Sequence, residues 1–308
     1  MNHDPNFNLK EVRPFLHSHM DPAANQKQPP ADKHSQDEMD QPIVGYRMLD
    51  KMGSGGMAVV FKAEHIATGK IVALKLLYPH HDKKALKQFL HEGMVLMGLD
   101  HPNVLKGFDF GISKNFYFLA IEFVEGESLV SFLEKGFKFT EAHTFRIALQ
   151  IAQAIGYLAS KGIVHRDIKP ANILMVAEIA KLCDFALALD TRSLDKSADD
   201  EAEFTCGTVE YISPEQARGQ TSLDSRSDIY SLGLTCLHMI TGKVPFSGDS
   251  PQEIMRCQIY EAIDWRQLKL TSTTKAILKR MVAKQPDGRL YPATLIRVLQ
   301  KYLQRHPA

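Results

Sequence analysis

Hydrophobic and polar positions divide the chain at about Tyr46. Residues 1–42 are rich in Asn, Gln, Asp, His and Pro and carry no sustained apolar period. From Met48 to Ala63 the pattern reads as strand, glycine-rich turn, strand. Ile71–Leu77 reads as a strand with one charge in its middle, and period two places Ala73 and Lys75 on one face. In the helical stretch Lys83–Gly98, Phe89, Glu92 and Leu96 fall at i, i+3 and i+7, so a carboxylate joins the inward apolar stripe. Lys106–Ile112 and Phe116–Phe123 are β-like, and Glu122-Phe123-Val124-Glu125-Gly126 turns into helical material. Helical periods dominate from Glu127 onward, notably Thr140–Lys161, Asp228–Thr241 and Thr273–Lys284. Thr140 is placed to cap one helix, Asp228 to open the next, and Gly242 to stop it. The pattern predicts a β-rich part of about eighty residues followed by a larger helical part, with no internal repeat.

Composition narrows the class. A chain of 308 residues holds one large or two ordinary domains, and 44% hydrophobic content suffices for a core. A net charge of +1 argues against nucleic acid or another polyanion as partner. No apolar run is long enough to span a membrane, and Met1–Lys10 lacks a basic region followed by an apolar one. The expectation is a cytoplasmic protein with no membrane span. Cys183, Cys206, Cys236 and Cys257 are scattered without a CxxC pair, which suits reduced thiols. Residues 1–42 are expected to be a disordered polar tail, having little apolar surface to offset ordering entropy. Within that tail, Phe7, Leu9, Val12, Phe15 and Leu16 form a short apolar patch, and His17 and His19 stand two apart without further metal ligands.

Candidate chemistry is densest in residues 163–174. Asp167 sits between Arg166 and Lys169, Asn172 follows five residues on, and apolar β-prone flanks hold Pro170 between them. A salt-bridged turn needs few of these groups. A phosphoryl-transfer loop uses all: a carboxylate to orient a hydroxyl and accept its proton, Lys169 to neutralise the moving group, Asn172 to bind metal. Gly53, Gly55 and Gly56 would let backbone N–H groups approach phosphate oxygens. An ordinary hairpin fits that stretch as well. No Gly-Lys-Ser/Thr follows and no helix does, which excludes a P-loop and a Rossmann turn. Lys75 inside an apolar strand requires a partner, and Glu92 is the candidate, as a phosphate-binding pair or a plain core salt bridge. Asp184, leaving the apolar run Leu182-Cys183, adds an oxygen suited to Mg²⁺.

Taken together, these stretches resemble a Hanks-type protein kinase of the bacterial serine/threonine branch. The resemblance covers about residues 45–304 and rests on motifs in family order: Gly53-x-Gly55-x-x-Ala58-x-Val60, Val72-Ala73-Leu74-Lys75, Glu92, His165-Arg166-Asp167, Asn172, Asp184-Phe185, Gly207-Thr208, Ser213-Pro214-Glu215, Asp228 and Arg289. It implies an α+β, bilobal fold, with a small β-rich N-lobe at 43–124, a larger mainly helical C-lobe at 125–304 and a short tail at 305–308. It implies transfer of the ATP γ-phosphoryl group to serine or threonine hydroxyls of protein substrates, with autophosphorylation, in intracellular signalling. ATP would be bound by Met52, Gly53, Gly55, Gly56, Val60, Ala73, Lys75, Glu92, Glu122, Val124 and Leu174. Asp167 and Lys169 would be catalytic, and Asn172 and Asp184 would hold Mg²⁺, or Mn²⁺ in its place. Glu215 and Arg289 would pair structurally, Asp228 would brace the catalytic loop, and a cytosolic regulator or self-association would supply input.

Three residues depart from the family pattern: Ala58 for the third glycine, Ser213 for alanine before Pro-Glu, and Ala186 for the glycine after Asp184-Phe185. Alanine disfavours φ > 0, so Ala186 narrows the backbone states open to the Asp-Phe pair. A nucleotide-binding scaffold without turnover and a small-molecule phosphotransferase therefore stay open beside the active protein kinase. Arg166 implies an activation segment that supplies a phosphate. Thr205 is the expected phosphosite and Thr208 the substrate-platform threonine, with Thr191, Ser193 and Ser197 as further hydroxyls. The acidic run Asp195, Asp199, Asp200, Glu201 and Glu203 either solvates the loop or partly replaces that phosphate.

Overall fold

The structure is a computed structural model, and it describes residues 42–55, 57–78, 82–114, 116–192 and 208–306. The tail up to residue 41, Gly56, Gly207, Thr205 and the acidic run of the activation segment lie outside the described residues. The chain forms two compact units. One comprises the described residues through Gly98 together with Lys106–Val124, and the other Leu99–Leu105 with the described residues from Glu125 onward.

The first unit is a five-stranded antiparallel sheet and one helix. Its strands are β1 (Tyr46–Ser54), β2 (Ala58–His65), β3 (Lys70–Leu77), β4 (Gly107–Ser113) and β5 (Phe116–Glu122), in the order β1-β2-β3-β5-β4. Period two sorts the faces. Phe61 and Ala63 of β2, Val72, Leu74 and Leu76 of β3, and Phe118 and Ala120 of β5 gather in one apolar cluster with Ile43 and Tyr46. Ala73 and Lys75 alternate with that set and so project from the opposite face. Helix α1 (Lys83–Met97) starts at Asp82, whose side chain accepts from the Ala85 N–H, and ends at Gly98 as its C-cap. It buries Phe89, Glu92, Gly93 and Leu96. At Gly93 a Cβ would lie 2.6 Å from the Phe110 ring, so only glycine lets the helix approach β4 this closely.

The second unit is built around helices α3 (Glu141–Ser160), α5 (Ser225–Thr241) and α8 (Pro292–Arg305), with shorter α2 (Leu129–Glu134), α4 (Pro214–Ala217), α6 (Pro251–Tyr260) and α7 (Ser272–Met281). Thr140 caps α3 through the His143 N–H, and Gly242 ends α5 in the left-handed region at φ 71°. Helix α5 is buried nearly all round, as expected of a central core helix. Its polar residues are paired: the Ser231 and Thr235 hydroxyls donate to carbonyls one turn back, and the Ser227 hydroxyl donates to Glu215. Short strands lie among these helices. β6 (Glu127–Ser128), β8 (Ile173–Val176) and β9 (Ile179–Leu182) form one ladder, and β7 (Ile163–Val164) pairs with β10 (Leu189–Asp190) in another. Leu99–Leu105 runs beside the first ladder, with the Asn103 amide donating to the Gln150 side chain and the Ala180 carbonyl.

Several sequence expectations are corrected here. The β-prone flanks of residues 163–174 are strands β7 and β8, whereas β6 and β10 lie unmarked among the helical periods after Glu127, because two residues are too few to express alternation. Asp228 does not open its helix: Asp224 is the N-cap, accepting from the Arg226 N–H at 2.8 Å, and Asp228 lies inside the first turn. The 273–284 helix begins one residue earlier, capped by Thr271, and ends at Met281. Ser213 caps α4, with Pro214 in its first turn.

One ion pair locks this unit. Glu215 and Arg289, each 3% exposed, meet through both guanidinium nitrogens, the Nη2–Oε2 contact being 2.8 Å. The remaining Arg289 donors go to the carbonyls of Ala283, Arg226 and Lys284. Burial alone would raise the Glu215 carboxyl, but the Arg289 hydrogen bonds and charge outweigh it and hold it below the usual range. A lowered folded-state pKa contributes stability that is full above the unfolded value and lost as pH falls through the folded one. Removing one partner strands a buried charge, so Glu215→Gln should cost about 3–5 kcal/mol at neutral pH. Thermal unfolding checks this: the wild-type midpoint should fall on acidification below about pH 4.5, and the variant's should fall less. Parallel pH profiles would contradict it.

Candidate active site

In the first unit, strand register aligns the nucleotide-binding candidates. Gly53 pairs with Val60, Val60 with Lys75, and Lys75 with Leu119, a single row across four strands. Ala73 follows two residues from Lys75 on the same face. The Lys75 ammonium donates to the Glu92 carboxylate at 2.6 Å, with their side chains 17% and 3% exposed. An ammonium raised on a strand and a carboxylate on α1 thus hold each other where neither would be tolerated alone.

The turn between β1 and β2 closes with the Gly55 N–H on the Ala58 carbonyl at 2.9 Å. Neither Gly53 nor Gly55 has positive φ, and a Cβ at Gly53 would meet no atom within 4 Å. The protein's own packing therefore does not demand a glycine at Gly53. Met52 is exposed at the same strand end. Glu122 pairs with Val72 across the sheet, and its N–H donates to the Lys106 carbonyl.

In the second unit, residues 163–174 bring four chemical groups together. Lys169 Nζ lies 2.8 Å from Asp167 Oδ2 and donates to Thr208 Oγ1 at 2.7 Å. Asn172 Nδ2 donates to the Asp167 carboxylate at 2.8 Å and to its carbonyl at 2.9 Å, which leaves the amide oxygen as the atom that could take a cation. The Cys183 N–H donates to the Asn172 carbonyl, and Ile173 pairs with Leu182, so Asp184 follows directly beside Asn172. Two oxygen donors of this kind fit a hard divalent cation that takes its other ligands from phosphate and water. Leu174 is half-buried on β8, between the inward Ile173 and Met175. Burial raises the Asp167 carboxyl; the Lys169 charge lowers it, and Asp184 pushes it up again, for a net rise. The result is a carboxylate more basic than usual, held by a cation and an amide.

Two residues of this loop are held in the left-handed region, Arg166 at φ 68° and Asp184 at φ 64°. Such positions persist only when their surroundings determine them. Asp228 is fully buried and accepts from the His165 N–H and the Arg166 N–H, each at 2.9 Å, one on each carboxylate oxygen. Burial pushes its carboxyl up to about 7, opposed by those two donors. Arg166 Nε donates to the Leu187 carbonyl.

His165 is the residue whose role sequence reasoning left blank. Its Nδ1 accepts from the Asp167 N–H at 3.3 Å, its Nε2 faces the Cys183 carbonyl at 3.2 Å, and its ring packs edge-on to Phe185. One nitrogen accepts and the other donates, which requires a neutral ring, and burial lowers its pKa to about 4. The imidazole thus ties the peptide of Asp167 to that of Asp184. The one available signal was a histidine closing an apolar run, Ile163-Val164, two residues before the carboxylate.

Comparison with known proteins gives the same reading. The model of the protein kinase domain matches residues 46–302. The chain belongs to the protein kinase family. It is 34% identical over 274 residues to serine/threonine-protein kinase pkn3 of Myxococcus xanthus, covering 85% of this chain and 47% of that protein. It is 34% identical to serine/threonine-protein kinase PrkC of Bacillus subtilis, over 79% of this chain and 38% of that protein. To serine/threonine-protein kinase PknB of Mycobacterium leprae it is 31% identical, over 82% and 42%. The chain spans less than half the length of these relatives. Kinases of this family use ATP and divalent metal ions. No helix among the described residues is long and apolar enough to cross a membrane.

The kinase fold accommodates the Ala186 departure. Ala186 is buried, is not among the positive-φ residues, and its N–H reaches Asp184 Oδ1 at 3.4 Å. Alanine is therefore unstrained in this arrangement and disfavours others. Ala186→Gly should cost about 0.4–1 kcal/mol of stability through the unfolded chain. It should also improve binding of ligands that need the flipped Asp-Phe arrangement more than binding of ATP. Equal changes in the two affinities would show that the alanine is no conformational restraint.

Proposed function

We propose that this kinase transfers the γ-phosphoryl group of ATP to serine or threonine hydroxyls of protein substrates. The observation that carries the reading is the cluster Asp167–Lys169–Asn172–Thr208, in which a half-buried carboxylate with a raised pKa is bound by a cation and an amide. Asp167 orients the incoming hydroxyl and accepts its proton as the oxygen attacks phosphorus. Lys169 offsets negative charge on the moving group, and its bond to Thr208 ties it to the segment that receives the substrate peptide. Lys75, anchored by Glu92, holds the α/β-phosphates, with the Gly53–Gly55 turn over them and the backbone at Glu122 and Val124 taking the adenine edge. Met52, Val60 and Ala73 line the base in the first unit.

Asn172 and Asp184 hold Mg²⁺, which when bound neutralises phosphate charge. Mn²⁺ serves the same oxygen donors. Serine/threonine rather than tyrosine specificity is supported by Lys169 and Thr208 and by the printed names of the relatives. Cys183, Cys236 and Cys257 are free thiols, in keeping with a reducing cytoplasmic setting. Thr205 is the phosphosite that pairs with Arg166, and autophosphorylation, a regulator or self-association provides the signal.

Purified protein incubated with labelled ATP, Mg²⁺ and a generic basic protein tests the reading. Asp167→Asn and Lys75→Met should each lower transfer by about a hundredfold or more, in line with general-base and positioning effects. Near-wild-type turnover in either variant would overturn the assigned roles.

A further inference from the structure

Ser213 stands where the family usually has alanine, and its contacts extend beyond the helix it begins. The side chain is fully buried. Its Oγ accepts from the Gln216 N–H at 3.4 Å and donates to Gln216 Oε1 at 2.9 Å, while the Ser213 N–H donates to the same oxygen at 3.3 Å. Two donors on Oε1 fix which way the amide faces. The flipped amide would set its NH₂ against an N–H and its oxygen against a carbonyl. So oriented, Gln216 Nε2 donates to the Arg166 carbonyl at 3.0 Å.

That carbonyl belongs to the peptide joining Arg166 to Asp167. The N–H of the same peptide donates to His165 Nδ1 at 3.3 Å. One peptide plane is therefore held from both sides, directly after a residue at φ 68° and directly before the proposed base. A capping box is complete with Ser213 and Gln216 alone, so the bond to Arg166 is one that capping does not require. Asp228 holds the N–H side of Arg166, and Gln216 holds its carbonyl.

We propose that Gln216 is a positioning residue for phosphoryl transfer, fixing the Arg166–Asp167 peptide, and that Ser213 acts through it. The inference rests on the proposed function above. Gln216→Glu separates the clamp from the cap, because it keeps the acceptor for Ser213 and replaces the donor facing Arg166 with a carboxylate oxygen. The full chain should show kcat lowered about tenfold to a hundredfold in Gln216→Glu and Gln216→Met, with the KM for ATP within about twofold of wild type. Ser213→Ala should lower kcat by a few fold alone and by nothing further in the Gln216→Met background, since contacting residues that act in series are non-additive.

Hydrogen exchange supplies a readout that does not depend on turnover. Amides of residues 163–172 should exchange faster in Gln216→Glu, while those of α3 should not change. Unchanged kcat and unchanged exchange in Gln216→Glu would overturn the proposal. So would a fall in kcat that tracks the thermal midpoint across the three single variants, which would reduce Gln216 to a structural role. If the wild type itself transfers no phosphate while Gln216→Glu still loosens residues 163–172, the functional reading fails and the clamp stands.

Discussion

The Asp228 carboxylate is the constraint on which the catalytic loop depends. A fully buried carboxyl is costly, and here each oxygen accepts one backbone N–H, from His165 and from Arg166. Those two bonds let a non-glycine residue stay at positive φ, which turns the chain so that Asp167 meets Lys169 and Asn172. His165 then carries the same order onward, from the Asp167 N–H through a neutral ring to the Cys183 carbonyl beside Asp184. The site in this unit is a chain of backbone groups fixed by buried side chains, and the Asp167 carboxylate, the proposed base, is the last link.

The first unit solves a related problem with charges. Lys75 and Glu92 come from β3 and α1, and α1 packs closely on β4 of the same sheet because Gly93 carries no side chain against Phe110. Packing therefore sets an electrostatic distance. In the second unit Glu215 and Arg289 do the same for α4, with every described guanidinium donor directed to a carboxylate or carbonyl. Such pairs add little net stability over apolar residues of equal volume, but they are costly to break, which makes them effective at selecting one arrangement.

Much of this was legible in the chain. Alternation placed Ala73 and Lys75 on one face of a strand, and helical spacing placed Glu92 on the inward stripe of α1. Local rules also served at Thr140 and Gly242, where one side chain or one φ value decides a boundary. The two-residue strands β6 and β10 were not legible, since alternation needs more positions than they have. Asp228 was placed at a helix opening by the apolar run around it, and only the family resemblance assigned it to the catalytic loop. In the folded chain its partners lie some sixty residues earlier, at His165 and Arg166. The roles of His165 and Gln216 were hidden for the same reason: each acts through a backbone group distant in sequence or through the orientation of a side-chain amide.

The most direct test of this account is to compare phosphoryl transfer with nucleotide affinity in Asp228→Asn. The amide retains one acceptor and sets an NH₂ against a backbone N–H, so it disturbs the loop without removing any group proposed to touch substrate. Transfer in a single turnover should fall by about tenfold or more while ATP affinity stays within about twofold, as expected when positioning alone is lost. Unchanged transfer, or equal loss of transfer and affinity, would contradict the claim that Asp228 sets the geometry of Asp167.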